Sequence, residues 1–343
     1  MKKLVIQISG FIISLVLSFV VLDKFIALTY ISNVSYNDVY EDIGRGRRAG
    51  LNFVSFNEGF SIGQFNKYRY LGPSYPPSKE NGTIRIALLG DSYVEGFQVF
   101  DRNHFRNLLE AELSIKLGQK VEVMNFGRSG FDIGDMYCYN QTLVSEFNPD
   151  FSLYFISKGD LSPKFTDPLR MKLRLTGDSL IVYKGYPEEY IRVFNRTKKL
   201  IQYSTIFNML NNCKKLTISE GVWPILLDKF YLVRSTNAQM QENSKKEFNL
   251  PIITERILDE MKPSSDIIIN RDIDGMEVLF EEAIAENGLT YINLSDTLQS
   301  MKDSGIDPNY WKATKKNGHW NQEGHKAVAN YIVKELLERS IIE

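Results

Sequence analysis

The chain has 343 residues, 43% of them hydrophobic and 24% charged, so it holds enough apolar surface to build a sizeable core, and wholesale disorder is excluded. Its 41 Lys and Arg nearly balance 42 Asp and Glu, for a formal charge of -1, so no net field attracts a polyphosphate and no nucleic-acid partner is expected. Cys138 and Cys213 are too widely spaced for a zinc ribbon or a CxxC redox site and are read as buried free thiols, with one bridge between them the alternative if the chain is exported; no metal site is legible.

At the amino end, Leu4 to Leu22 is a 19-residue, mostly apolar run with Lys2 and Lys3 before it and Asp23 and Lys24 after it. A helix of that length spans roughly 29 Å, close to a bilayer's hydrocarbon thickness. The run exceeds the apolar core of a secretory signal and lacks a small-x-small cleavage site, so residues 1–30 read as an uncleaved anchor rather than a cleaved signal. The paired lysines put the amino end in the cytoplasm and the rest in an extracytoplasmic position, periplasmic or cell-surface.

Residues 31–81, rich in Tyr, Asn, Gly and Pro, read as a loop-rich juxtamembrane extension with one or two short strands. From there the pattern alternates. Strands are expected at Ile84–Leu89, Val121–Phe126 and Phe151–Ile156, with helices at Asn103–Leu117 and Ile133–Glu146 between them. A stretch of about 162–255 interrupts the alternation and reads as an insertion, with a hairpin over Lys172–Tyr183 and helices over Glu188–Asn212 and Val222–Leu232. Alternation resumes with a helix at Thr254–Met261, a strand at Asp266–Asn270, a helix at Met276–Asn287 and a strand at Leu289–Leu294. The last helix runs over Asn321–Arg339, capped by Asn321. Repeated β-α units of this kind predict an α/β domain over 82–343 with a doubly wound parallel sheet.

Ligands bind at the carboxyl ends of such strands, so the residues after each strand carry the chemistry. Gly90-Asp91-Ser92 follows the first strand, where a serine on a tight turn can present both a nucleophilic hydroxyl and a backbone N–H. The same tripeptide recurs at Gly177-Asp178-Ser179, between alternating segments, and there it reads as a hairpin turn. Asn125 to Gly130 follows the second strand, its glycines allowing close backbone approach. Of the three histidines, His104 reads as structural and His325 falls in the first turn of the last helix. His319 lies on the loop before that helix, free to reach a serine across the sheet edge.

Together, Leu88 to Gly96, Asn125 to Gly130 and Gly318 to His325 resemble the three ordered motif blocks of the GDSL-like, or SGNH, hydrolase superfamily. That resemblance implies a flavodoxin-like three-layer sandwich, Ser92 as nucleophile, His319 as base and Ser92 and Gly130 as oxyanion donors. Gly159 is a third candidate, because the family's Gly-Asn-Asp block reads Lys158-Gly159-Asp160 here. The aspartate that the family places two or three residues before its histidine is replaced by Lys316 and Asn317, so Asn317 and Asp160 are the candidates for orienting His319, with Asp307 a further carboxylate in reach of the loop. Lys158 is a candidate source of positive charge for the oxyanion. The implied activity is a cofactor-free serine esterase or O-acyltransferase on acylated surface glycans or lipids, a membrane acyltransferase being a candidate partner. The alternative is a degenerate module that keeps the cleft for carbohydrate binding or scaffolding.

Overall fold

The computed structural model describes residues 2–29, 33–55, 58–177, 179–211 and 248–343. The expected helix at Val222–Leu232, the end of the one at Glu188–Asn212, Asp178 and Cys213 lie outside them. Two compact units form: Met1–Tyr36 with Arg192–Glu247, and Asn37–Ile191 with Phe248–Glu343.

In the first unit, helix α1 (Lys2–Leu28) follows the apolar run and extends it, reaching roughly 40 Å at 1.5 Å per residue. Its most apolar window has a mean hydropathy of 2.5 and none of its residues is buried, so the helix is long and apolar enough to cross a membrane.

The second unit opens with two hairpins in the extension: β1 (Asn37–Tyr40) with β2 (Gly44–Arg47), and β3 (Asn52–Ser55) with β4 (Ser61–Gln64). Four strands thus stand where one or two were expected. A five-stranded parallel sheet follows, made of β5 (Ile84–Leu89), β6 (Val121–Asn125), β7 (Phe151–Ile156), β10 (Asp266–Asn270) and β11 (Thr290–Asn293). The spatial order is β11-β10-β7-β5-β6. Counted from β5, that is the 2-1-3-4-5 order of flavodoxin-like folds, with its topological switch point beside β5.

Side chains alternate across the strands and bury two layers. On one face Ala87, Leu89, Tyr154 and Ile268 meet α4 (Ile133–Tyr139), α6 (Ile252–Glu260) and α7 (Val278–Glu286). On the other, Ile86, Leu88, Phe155 and Ile269 meet α3 (Phe105–Leu117), α8 (Ser295–Asp303) and α9 (Gln322–Glu338). The domain is therefore the expected three-layer α/β sandwich. The helix from Ile133 leaves α geometry after Tyr139, passing through a π turn at Asn140–Val144 and a 3-10 turn at Ser145–Phe147. Asn321 caps α9 by accepting the Gly324 N–H at 3.0 Å.

Candidate active site

Where β5 ends, the chain turns so tightly that a Cβ on Gly90 would lie 2.3 Å from Val94. Asp91 then caps the short helix α2 (Ser92–Glu95), its carboxylate accepting the Tyr93 N–H at 2.9 Å. The other Asp91 oxygen accepts from Arg271 at 2.6 Å, and that guanidinium lies over the Tyr93 ring, 4.3 Å from its centre. Gly96 closes α2 in the left-handed region at φ 60°, where a Cβ would fall 2.1 Å from His104 Nε2. Ser92 is thus clamped at the first position of a helix, at the switch point of the sheet.

His319 Nε2 lies 2.7 Å from Ser92 Oγ. Its loop is fixed on every side. Trp311 Nε1 donates to the His319 carbonyl at 2.9 Å, and Asn309 Nδ2 donates to the Gly318 carbonyl at 2.7 Å. Neither of the expected orienting residues, Asn317 or Asp160, bonds His319. Asn317 stands exposed in β13 (Lys316–Asn317), paired with Tyr310 of β12 (Tyr310–Trp311). Asp160 accepts from Ser157 N at 2.9 Å and Ser157 Oγ at 2.6 Å, with Arg271 3.6 Å away. Asp307 accepts instead from the Asn309 N–H.

The carboxylate that reaches His319 is Glu58, between β3 and β4. Both of its oxygens are 2.9 Å from Nδ1, and Oε2 also accepts the His319 backbone N–H at 2.9 Å. A carboxylate on Nδ1 fixes the tautomer, leaving Nε2 to accept from the serine hydroxyl. The fit is close: a Cβ on Gly318 would fall 2.3 Å from Glu58 Cδ, and one on Gly59 2.1 Å from the Trp311 ring. Glu58 was missed in the sequence because its partner is 261 residues away and no local spacing links them. The signal available was indirect. The extension is dense in phenylalanine, and its rings seal the hairpin onto the domain, Phe53 against Phe97 at 4.5 Å and Phe60 against Phe100 at 6.0 Å.

Next to Ser92 in the chain, Asp91 lines a cavity of about 140 Å³ with Gly130, Gly159 and Arg170, together with Lys164, Phe165 and Asp167 from the start of the insertion. Arg170 donates to the Ser129 carbonyl at 3.3 Å and the Gly130 carbonyl at 2.7 Å, and pairs with Asp135 at 2.8 Å. The Ser129 carbonyl belongs to the peptide unit that carries the Gly130 N–H, so Arg170 both orients and polarises that amide. Ser129 N donates to buried Glu95, which Arg47 of β2 pairs at 2.6 Å. Burial raises the carboxyls of Asp135 and Asp160 to about 6 each. Lys158 turns away from this cavity toward Glu277, 3.7 Å off, so its proposed charge on the oxyanion is not delivered.

The remaining polar residues have structural partners. His104 caps α3, its Nδ1 accepting the Arg106 N–H at 3.0 Å while Nε2 faces the Val94 carbonyl, and burial drives it down to about 3. His325 is buried, accepts the Phe105 N–H and is depressed by the same desolvation. Ser179 opens β9 (Ser179–Tyr183), opposite Thr176 of β8 (Lys172–Thr176), in the expected hairpin. Cys138 is free and buried.

No family model matches the chain, and no curated protein matches it. Among solved structures it is similar to a lipase/acylhydrolase from Enterococcus faecalis, at 15% identity and a TM-score of 0.39, over 75% of this chain and 96% of that one. An acetyl xylan esterase from Geobacillus stearothermophilus aligns at 12% identity and a TM-score of 0.39, over 74% and 94% of the two chains. A two-domain esterase active on acetylated mannans aligns at 12% and 0.38, over 76% of this chain and 50% of its own. With a 2-1-3-4-5 parallel sheet, a serine on the turn after its first strand and a histidine bonded to it from the loop before its last helix, this chain has a flavodoxin-like α/β/α fold that carries a Ser–His pair at its switch point.

Proposed function

We propose that this chain is a serine esterase or O-acyltransferase, anchored by α1 and acting outside the cytoplasm on O-acyl groups of surface glycans or lipids. The observation that carries the proposal is the hydrogen-bonded chain from Glu58 through His319 to Ser92, with spacings of 2.9 and 2.7 Å. A binding module has no use for such a relay. In the reaction, Ser92 Oγ attacks the acyl carbonyl as its proton passes to His319 Nε2, and Glu58 stabilises the imidazolium. The oxyanion is held by the N–H groups of Ser92 and Gly130. Nε2–H then protonates the departing alkoxide, leaving an acyl-serine. Water or an acceptor hydroxyl, deprotonated by the same nitrogen, attacks that ester, and Nε2–H returns the proton to Ser92 Oγ as it leaves.

The glycine at 159 favours the second reading, a cleft kept for binding, since loss of one oxyanion donor typically costs about 3 to 4 kcal/mol of transition-state stabilisation. A fluorophosphonate probe separates the two. Labelling of the full chain that disappears in Ser92→Ala supports the enzyme, whereas an unlabelled wild type leaves the binding module.

A further inference from the structure

Beyond α1, the first unit holds the greater part of α5 (Glu188–Tyr203) and a short helix over 205–211. Asp23 of α1 bonds the junction between them. Its carboxylate accepts from Ser204 Oγ at 2.7 Å, Thr205 Oγ1 at 3.0 Å and Ile206 N at 3.0 Å, and Thr205 Oγ1 also donates to the Asp23 carbonyl at 2.8 Å. Asp23 directly follows the apolar run, at the level where a helix leaving hydrocarbon meets the headgroups. A carboxylate at that level needs donors, and these hydrogen bonds supply them. One turn inward, the rings of Phe19 and Phe207 pack 5.4 Å apart, so the short helix descends roughly 6 Å along α1 from Asp23.

The helices themselves are amphipathic. Val193, Leu200 and Tyr203 on α5 are 61%, 50% and 70% exposed, and Leu210 on the short helix 54%. Arg192 and Arg196 stand exposed beside the apolar residues of α5. Exposed apolar side chains at helical spacing, with Arg196 among them and Arg192 at their edge, suit a helix lying in a headgroup layer, its apolar side chains in the acyl boundary and its long cationic side chains reaching up to anionic lipid.

We infer that 192–211 is an interfacial membrane-binding element whose partner is an anionic lipid surface. The inference rests on α1 spanning a bilayer. Asp23 and Phe19 set its depth, and the arginines set its lipid preference.

Nitroxide labels test it on the full-length chain in vesicles, with Cys213→Ser and single cysteines from Leu200→Cys, Phe207→Cys and, within α1, Phe11→Cys. Collision with oxygen is compared with collision with a water-soluble nickel chelate, in phosphatidylcholine and in an equimolar mixture with phosphatidylglycerol. The expected result is a deep label at 11, and shallow but oxygen-favouring labels at 200 and 207, the one at 200 moving deeper with phosphatidylglycerol. Combining Arg192→Gln with Arg196→Gln should abolish that movement. A deep label at 11 with nickel-accessible labels at 200 and 207 overturns the inference while the anchor stands, and leaves the apolar face to a protein partner. A nickel-accessible label at 11 removes the anchor and the inference with it. Depth at 200 that ignores both phosphatidylglycerol and the arginines overturns the charge assignment.

Discussion

The two sides of the Ser92–His319 pair are held by different physics. On the sheet side, Ser92 sits on a turn whose flanking residues are core: Leu89 and Val94 are fully buried, and Arg271 clamps Asp91 from the end of β10, two strands away. On the extension side, Glu58 rides a two-stranded hairpin that shares no sheet with the domain. Ring packing of Phe53 and Phe60, and the Thr314 hydroxyl on the Glu58 carbonyl at 2.7 Å, hold it instead. The serine is thus placed by the main sheet, and the carboxylate that reaches its histidine by a hairpin outside that sheet.

The sharpest way to break this contrast is to remove the charge while keeping the shape. Glu58→Gln keeps a hydrogen-bond partner for Nδ1 but cannot stabilise an imidazolium, and the analogous change in a serine protease triad costs about 10⁴-fold in kcat. A drop of that order is expected in turnover of an activated acetyl ester, with fluorophosphonate labelling slowed alike. If Glu58→Gln stays within tenfold of wild type, the extension's carboxylate is a structural ligand of the His319 loop and the contrast fails.

How much of this was legible follows from the same difference. The five strands, the switch point and the placing of Ser92 and His319 came from local patterns: an apolar strand, a small-residue turn, a histidine just before a capped helix. Helix α8 was missed because Ser295–Asp303 buries little beyond Ser295 and Leu298, too short a stripe to register. The orienting acid was sought at Asn317 and Asp160 because a family motif is read by spacing. The carboxylate that bonds His319 Nδ1 instead comes from 261 residues away, and such tertiary closure leaves no spacing to read. Arg170 was overlooked for a related reason, since its role depends on the backbone of Ser129 and Gly130 meeting an insertion residue.

Arg170 gives the next largest effect. Its hydrogen bonds fall on the Ser129 and Gly130 carbonyls, so on the proposed mechanism Arg170→Met should lower kcat by about 10 to 10²-fold with KM little changed, less than the 10² to 10³ lost when an oxyanion donor is deleted outright. Arg170→Lys should recover only part, because a single ammonium cannot span both carbonyls and Asp135. A loss confined to KM would place Arg170 on the substrate instead.

The sheet side also carries a response to pH. Asp135 and Asp160 are both raised to about 6 by burial, so the folded chain holds protons there that the unfolded chain has already lost. Stability should therefore fall as pH rises from about 4 to 6, by at most about 3 kcal/mol per group, and level off above. Urea midpoints across this interval should show the decline, and Asp135→Asn should flatten part of it. A midpoint that rises through the interval would contradict the burial of these carboxyls.

The smallest effects come from restoring the motif residues that this chain lacks, and the two sides should answer unequally. Position 317 is exposed on β13, with Glu58 already on Nδ1, so an aspartate there has no imidazole to orient. Asn317→Asp should leave kcat within about twofold, as for any surface change away from a strained or buried feature. Position 159 is different. A Cβ there would meet only Ser157 Oγ at an ordinary 3.6 Å, in the cavity that Gly130 also lines, so an asparagine has both room and a target. Gly159→Asn should raise kcat by about tenfold, below the full worth of a donor because nothing around it has been fitted to hold the amide. Should Asn317→Asp bring the larger gain, Glu58 would not be the working acid and the extension would lose its share in the site. Should Gly159→Asn lower activity, the space beside Gly130 is one the acyl group itself requires.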